Sequence, residues 1–268
     1  MKQTKFLPYG RQTILDEDIS AVNNVLRSSF ITQGPVVNDF EDALSKKLKA
    51  KHCISTNSAT SALHISCIAL GLKKGDYLWT SPNTFVASAN CGLYCDSFVD
   101  FVDIDIETGL ISIEFLKKKL IRAEKIGKLP KILVAVHFSG SSCDMKEIGF
   151  LSKKYGFHVV EDASHAIGGK YLDQPVGNCA FSDLTVFSFH PVKIITTGEG
   201  GAITTNNSVI ATKLYELRSH GITKDKNKFV DKNIYTWKYE QQSLGFNYRM
   251  PDINAALGLS QLKRLDKI

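Results

Sequence analysis

Several things are missing from this 268-residue sequence, and each absence removes a class of protein. Its six cysteines, at positions 53, 67, 91, 95, 143 and 179, form no C-x-x-C pair and have no histidines at zinc-finger spacing. A structural zinc site or a thioredoxin-like redox motif is therefore not expected, and no metal is expected at all. No stretch approaches the ~18 uninterrupted apolar residues of a membrane span, and the start, Met1 to Pro8, has no apolar run of the signal-peptide kind. Neither export nor membrane association is expected, and buried thiols in a cytoplasmic protein are. Lys and Arg outnumber Asp and Glu enough for a formal charge of +6. They are scattered without runs, so a nucleic-acid partner is not indicated and only a mild bias toward anionic ligands remains. The first strand-like run, Cys53–Thr56, is not followed by G-x-G-x-x-G; residues 57–61 contain no glycine, which speaks against a nicotinamide dehydrogenase.

What is present is a periodic, globular pattern with 43% hydrophobic residues, enough to bury a real core. Residues 16–27 place Ile19, Val22, Val25 and Leu26 on one helical face, and residues 36–49 do the same with Val37, Phe40, Leu44 and Leu48. From His52 onward, short apolar runs recur at 53–56, 77–80, 97–102, 132–138, 158–160 and 184–189, most of them separated by helix-like stretches. That βαβ rhythm predicts an α/β fold, with a mostly parallel, doubly wound sheet covered by helices on both faces. A further run, 201–205, comes after a glycine-rich link too short for a crossover helix, which suits an antiparallel strand. Residues 219–243 are polar and read as an excursion or flap, and 252–265 read as a last amphipathic helix with Ala255, Leu259, Leu262 and Leu265 on one face.

In an open parallel sheet, ligands gather beyond the carboxyl ends of the strands. Four predicted strands end there in polar groups. Asn57-Ser58-Ala59-Thr60-Ser61 opens a helix, as an ordinary N-cap or as a phosphate site on free backbone N–H groups. Asp162, ending the run from His158, either caps the next helix or faces a cation that offsets its desolvation; His165 reads equally as a satisfied core histidine. Lys193 lies in a glycine-rich link between the apolar stretches 184–192 and 194–203. It is either an amine whose charge is lost by desolvation, which makes it a nucleophile toward an aldehyde, or a loop lysine reaching water.

The ordered set of motifs resembles one family, the DegT/DnrJ/EryC1/StrS sugar aminotransferases of pyridoxal-phosphate fold type I. The resemblance is carried by Thr32-Gln33-Gly34-Pro35, Asn57-Ser58-Ala59-Thr60-Ser61-Ala62-Leu63, Thr84-Phe85-Val86-Ala87-Ser88-Ala89-Asn90, Glu161-Asp162-Ala163-Ser164-His165-Ala166, and Ser188-Phe189-His190-Pro191-Val192-Lys193 with Gly198-Glu199-Gly200-Gly201. It implies pyridoxal 5′-phosphate as cofactor, joined covalently to Lys193, the catalytic residue. It also implies that Asp162 meets the pyridinium nitrogen, that His165 approaches the phenolic oxygen, and that Phe85 stacks on the ring. Ala59, Thr60 and Ser188 would contact the phosphate, Asn247 would reach the phosphate of a partner subunit's site in a homodimer, and Thr32 would line the sugar site.

Within that family, residues 57–64, 218–222 and 254–262 are similar to members that aminate C4 of a UDP-linked 4-keto-6-deoxy sugar in pseudaminic acid biosynthesis, with L-glutamate as donor. The resemblance leaves open another nucleotide-sugar 3- or 4-aminotransferase, or an inactive truncated member. It implies an N-terminal segment lining the active site (1–35), a large cofactor-binding domain (36–250), and the start of the helix leading to a small C-terminal domain (251–268). That small domain would be largely absent from this chain.

Overall fold

The computed structural model describes residues 8, 10–231 and 235–268; the opening residues 1–7 and 9, and 232–234 of the polar excursion, lie outside it. In chain order the elements are α1 (Asp16–Leu26), α2 (Pro35–Leu48), β1 (His52–Thr56), α3 (Ala59–Ala69), β2 (Tyr77–Thr80), α4 (Ala87–Leu93), β3 (Phe98–Phe101), α5 (Ile113–Lys125), β4 (Ile132–Val136), α6 (Met145–Tyr155) and β5 (His158–Asp162). A short hairpin, β6 (Lys170–Tyr171) and β7 (Gln174–Pro175), precedes β8 (Leu184–Ser188), β9 (Gly201–Thr205) and α7 (Ser208–Arg218). The polar excursion contributes the two-residue strands β10 (Ile222–Thr223) and β11 (Glu240–Gln241), and α8 (Asp252–Leu262) comes last.

Seven strands form one sheet in the order β1-β9-β8-β5-β4-β2-β3. The pairs β2–β3, β2–β4, β4–β5 and β5–β8 are parallel, whereas β9 runs antiparallel to both of its neighbours. The glycine-rich link accounts for the reversal, because no helix intervenes to carry the chain back across the sheet. Every residue of β4, β8 and β9 is buried, as expected for strands covered on both faces.

Alternation sorts their side chains between two layers. Ile132, Val134, Val160, Leu184, Val186 and Ile203 pack with α3, α4 and α7. On the other face, Leu133, Ala135 and Val159 meet α5 and α6, and Phe187 and Ala202 meet α2 and α8. β3 closes one edge and exposes Phe98 and Phe101.

Helix α2 buries the expected face, Val37, Phe40, Leu44 and Leu48. Helix α1 forms where its periodicity predicts, but the expected apolar face is not its buried one. Val25 is buried, while Ile19 and Leu26 are 52% and 54% exposed. The physical reason is that α1 is held by an ion pair. The fully buried Asp18 accepts Arg264 Nη1 at 3.1 Å and Nη2 at 2.8 Å, and Gln261 Nε2 at 3.1 Å. A bidentate arginine on a carboxylate supplies the geometric specificity that apolar packing supplies elsewhere. The final helix ends at Leu262, short of the predicted 265, and Leu265–Lys267 form a 3-10 turn.

Asp252, also fully buried, opens α8 and reaches back to the start of α2, where its carboxylate accepts Gly34 N at 2.7 Å, Val36 N at 2.9 Å and Val37 N at 3.4 Å. The N–H groups that a helix leaves orphaned at its start are thus satisfied by a residue far along the chain. Gly34 is required for the approach: a Cβ there would lie 2.9 Å from Asp252 Oδ1 and 2.5 Å from Phe30 Cβ. Asp252→Ala is expected to cost about 2 kcal/mol, a lost cap plus unpaired buried donors. A urea denaturation midpoint within error of the parent would contradict this.

Candidate active site

Because six of the seven strands point the same way, β1, β5 and β8 deliver their last residues to one edge of the sheet. On β5, Asp162 has the parity of Val160 and so faces the α3–α4 layer, where it is 5% exposed. Its Oδ2 accepts Ser88 Oγ from α4 at 2.6 Å. Its Oδ1 accepts Ser164 Oγ at 2.6 Å and Ser164 N at 3.1 Å.

Lys193 lies beyond β8 in a tight turn, its N–H bonded to His190 O at 2.9 Å. Burial lowers the Lys193 pKa, and the negative charge of Asp162 works against that shift. Burial also lowers the His165 pKa, reinforced by the charge of Lys193 and opposed by that of Asp162. The three groups therefore lie within electrostatic reach of one another. The strand end delivers the carboxylate, and the link between β8 and β9 delivers the amine.

A second group assembles beside them. Ser188 shares the parity of Leu184 and Val186 and so faces α3, and it pairs in register with Gly201 of β9. A Cβ on Gly201 would sit 2.6 Å from Ala59 N, so only glycine lets the start of α3 come this close to the sheet. Ser58 proves to be a true N-cap, its hydroxyl accepting Ser61 N at 3.1 Å. The cap does not use up the helix start, because helix geometry still leaves the N–H groups of Ala59 and Thr60 without intrahelical partners. Backbone donors and the Ser188 hydroxyl thus meet around Gly201.

Phe85 is 74% exposed, three residues before Ser88. Thr32 and Asn247 are exposed, and no hydrogen bond among the described residues joins either side chain to Asp162, Lys193 or Ser188. The Asn247 backbone lies close to the start of α3, its carbonyl facing Asn57 Nδ2 at 3.5 Å. Two clefts of about 740 and 550 Å³ are lined, one by Gln33, Arg218, Trp237 and Arg249, the other by Trp79, Phe115 and Lys119. Neither includes Asp162 or Lys193, so the convergent chemistry, not the size of a cavity, marks the site.

Sequence reasoning missed Ser88, Ser164 and Gly201 as site builders. Ser164 carried a local signal, since a serine two residues after an aspartate readily bonds back to it. Ser88 carried none, standing 74 residues from its partner.

Behind Asp162, on the opposite face of β5, lies a second buried carboxylate. Glu161 Oε2 is 2.7 Å from His137 Nε2, and its Oε1 accepts Thr185 Oγ1 at 3.0 Å as well as the Ser182 hydroxyl. The network ties β4, β5 and β8 together directly under the site. Burial pushes the Glu161 pKa up, but the bonds from His137, Ser182 and Thr185 outweigh it and the net shift is downward. Asp18 behaves alike: burial raises its pKa, and Arg264 with the Leu15 N–H brings it below the ordinary value.

A carboxyl whose pKa is lower folded than unfolded stabilises the fold above the unfolded value, and that stability is lost as pH falls through the folded value. The carboxyl contribution to the urea midpoint is therefore expected to be lost as pH falls below ~4, where unfolded carboxyls protonate. Glu161→Gln should flatten the acid limb, and an acid limb as steep as the parent's would count against this account.

The fold and site together define the class: a doubly wound α/β protein whose strand ends place a partly buried amine and a buried carboxylate near an open helix start. The chain belongs to the DegT/DnrJ/EryC1/StrS aminotransferase family, whose model matches residues 12–268. It is 42% identical over 261 residues to the UDP-4-amino-4,6-dideoxy-N-acetyl-beta-L-altrosamine transaminase of Campylobacter jejuni, covering 97% of this chain and 65% of that relative. Among solved structures, Helicobacter pylori PseC, an aminotransferase involved in the biosynthesis of pseudoaminic acid, superposes with a TM-score of 0.87 at 35% identity, covering 98% of this chain and 67% of that one. NtdA of Bacillus subtilis, solved with bound cofactor PMP, superposes with a TM-score of 0.79 at 30% identity, covering 95% and 55%. The chain thus spans about 65% of the length of the curated transaminases it matches. No helix among the described residues is long and apolar enough to cross a membrane.

Proposed function

We propose that this chain carries the cofactor-binding portion of a pyridoxal-phosphate aminotransferase that moves an amino group from L-glutamate to C4 of a UDP-linked 4-keto-6-deoxy sugar, a step of pseudaminic acid biosynthesis. The observation that carries the reading is the placement of Lys193, in the link after β8, within electrostatic reach of Asp162 at the end of the neighbouring β5, beside the start of α3 that Gly201 lets approach the sheet. The likeness to the Campylobacter transaminase supports the choice of sugar.

The residues present fit the cofactor: a partly desolvated amine, a carboxylate with hydroxyl donors on both oxygens, and an open helix start. When bound, pyridoxal phosphate supplies an aldehyde that condenses with amines and a ring that accepts the electron pair of a broken C–H bond. Ala59, Thr60 and Ser188 hold the phosphate through N–H and O–H donors. Asp162 would hold a proton on the ring nitrogen, and Phe85 would cover the ring face. His165 approaches the phenolic oxygen. The Nζ of Lys193 would hold the cofactor and, once free, would serve as the base that moves a proton at the substrate carbon. Glutamate leaves as 2-oxoglutarate before the keto sugar enters, a ping-pong order. Thr32 contributes to the sugar site, and Asn247 reaches the phosphate of the partner in a homodimer.

Incubating the purified protein with pyridoxal phosphate and borohydride, then mapping the labelled peptide, tests the reading. A label on Lys193 is expected; a label confined to other lysines, or none, overturns it. A panel of UDP- and dTDP-linked keto sugars with glutamate then assigns the acceptor, and turnover only with a sugar other than the UDP-linked 4-keto-6-deoxy compound would correct it.

A further inference from the structure

We propose that Ser88, backed by Thr84, is a positioning residue that aims the Asp162 carboxylate at the cofactor's ring nitrogen and keeps both its oxygens acceptors. The inference rests on the aminotransferase reading above and concerns how this chain sets that carboxylate.

An ionised carboxylate accepts hydrogen bonds and donates none, with about four lone-pair positions in all. Asp162 has three of them filled: Oδ1 by Ser164 Oγ and N, and Oδ2 by Ser88 Oγ. Ser88 has a single hydroxyl proton, and it is spent on Oδ2. The 2.8 Å contact between Thr84 Oγ1 and Ser88 Oγ must therefore run from threonine to serine. The chain has one polarity, Thr84 to Ser88 to Asp162, and a protonated carboxyl at Oδ2 would force it to reverse.

Ser88 is fully buried and itself fixed. Its backbone N–H bonds to Phe85 O at 3.2 Å, and its carbonyl accepts Cys91 Sγ at 3.3 Å. One turn of chain therefore carries both the hydroxyl that aims Asp162 and the aromatic ring of Phe85. Ser164 cannot substitute for Ser88, because it grips the other oxygen and belongs to the same strand end as the aspartate.

The test is ring-nitrogen protonation, read by the ¹⁵N chemical shift of ring-labelled pyridoxal phosphate bound to the full protein. The parent, Ser88→Ala, Thr84→Val and Ser88→Thr are compared, each with its borohydride label at Lys193 and its kcat and KM for glutamate. Ser88→Ala is expected to keep the Lys193 label, move the ¹⁵N signal toward unprotonated pyridine, and lower kcat about tenfold with KM little changed. Thr84→Val, at a half-buried position and of nearly unchanged shape, should move the signal the same way but less. Ser88→Thr, which keeps the hydroxyl, should restore it.

A fall in kcat with the parent's ¹⁵N shift in either folded variant would make Ser88 a packing residue only and overturn the proposal. If Ser88→Ala does not fold, Thr84→Val decides alone. Failure of the parent to take any reducible label instead overturns the aminotransferase reading, so the two failures are distinguishable.

Discussion

Lys193→Ala is expected to abolish covalent retention of pyridoxal phosphate and to lower transamination on the order of 10³-fold, the contribution typical of a positioned acid–base group, while the fold survives. The amine sits where burial disfavours its charge, with Asp162 as the opposing influence. Removing it deletes a partly desolvated cation and no packing anchor, so the urea midpoint should stay near the parent's. Borohydride treatment followed by intact-mass measurement reads covalent retention directly, and single-turnover formation of 2-oxoglutarate reads the chemistry. Residual noncovalent binding is expected, since the donors around Gly201 and the Asp162 carboxylate remain. A borohydride-stable adduct on the alanine variant would mean that another lysine does this work. Lys193→Arg should fail in the same way, because a guanidinium stays protonated and cannot serve as the nucleophile.

How much of this was legible beforehand depends on how local each signal is. The sheet was, because continuous apolar runs such as 132–136 and 184–188 mark strands covered on both faces, and the short link before Gly201 marked the one reversed strand. Helix α2 was legible for the same reason, as its period and its burial coincide. Helix α1 shows the limit. Its period is real, yet its tie to the C-terminal segment is the Asp18–Arg264 pair, and a charged contact 246 residues apart leaves no trace in hydropathy. The site divides along the same line. Asp162 and Ser188 sit at strand ends and Lys193 in the link just beyond one, so the α/β topology sends all three toward the same end of the sheet. Ser88, Gly201 and the Glu161–His137 network act through contacts between elements. Gly201 is one glycine of several in a link that needs flexibility anyway, and nothing in its neighbours tells that its missing Cβ is what lets Ala59 approach.

Asp162→Asn separates cofactor retention from catalysis, and so tests the role assigned to the carboxylate. The amide has nearly the shape of the acid, and its oxygen can still accept from either Ser88 or Ser164. Its NH₂ end, however, meets a hydroxyl donor on whichever side it faces, and that serine must turn its proton away. More consequentially, a neutral amide has no charge with which to hold a proton on a pyridine nitrogen, and the ring without that proton is a weak electron sink. The Lys193 label is therefore expected to persist, while the half-reaction with glutamate slows on the order of 10²–10³-fold, the size of loss seen when one charge-stabilising contact is removed from an active site. Rapid-mixing absorbance with glutamate alone measures that step without the sugar. A deuterium effect from α-deuterated glutamate should be larger in the variant than in the parent, because proton removal becomes more fully rate-limiting. If Asp162→Asn reacted with glutamate at the parent's rate, the carboxylate would be a cap for the turn at Ser164 and nothing more, and the relay from Thr84 through Ser88 would have no catalytic target.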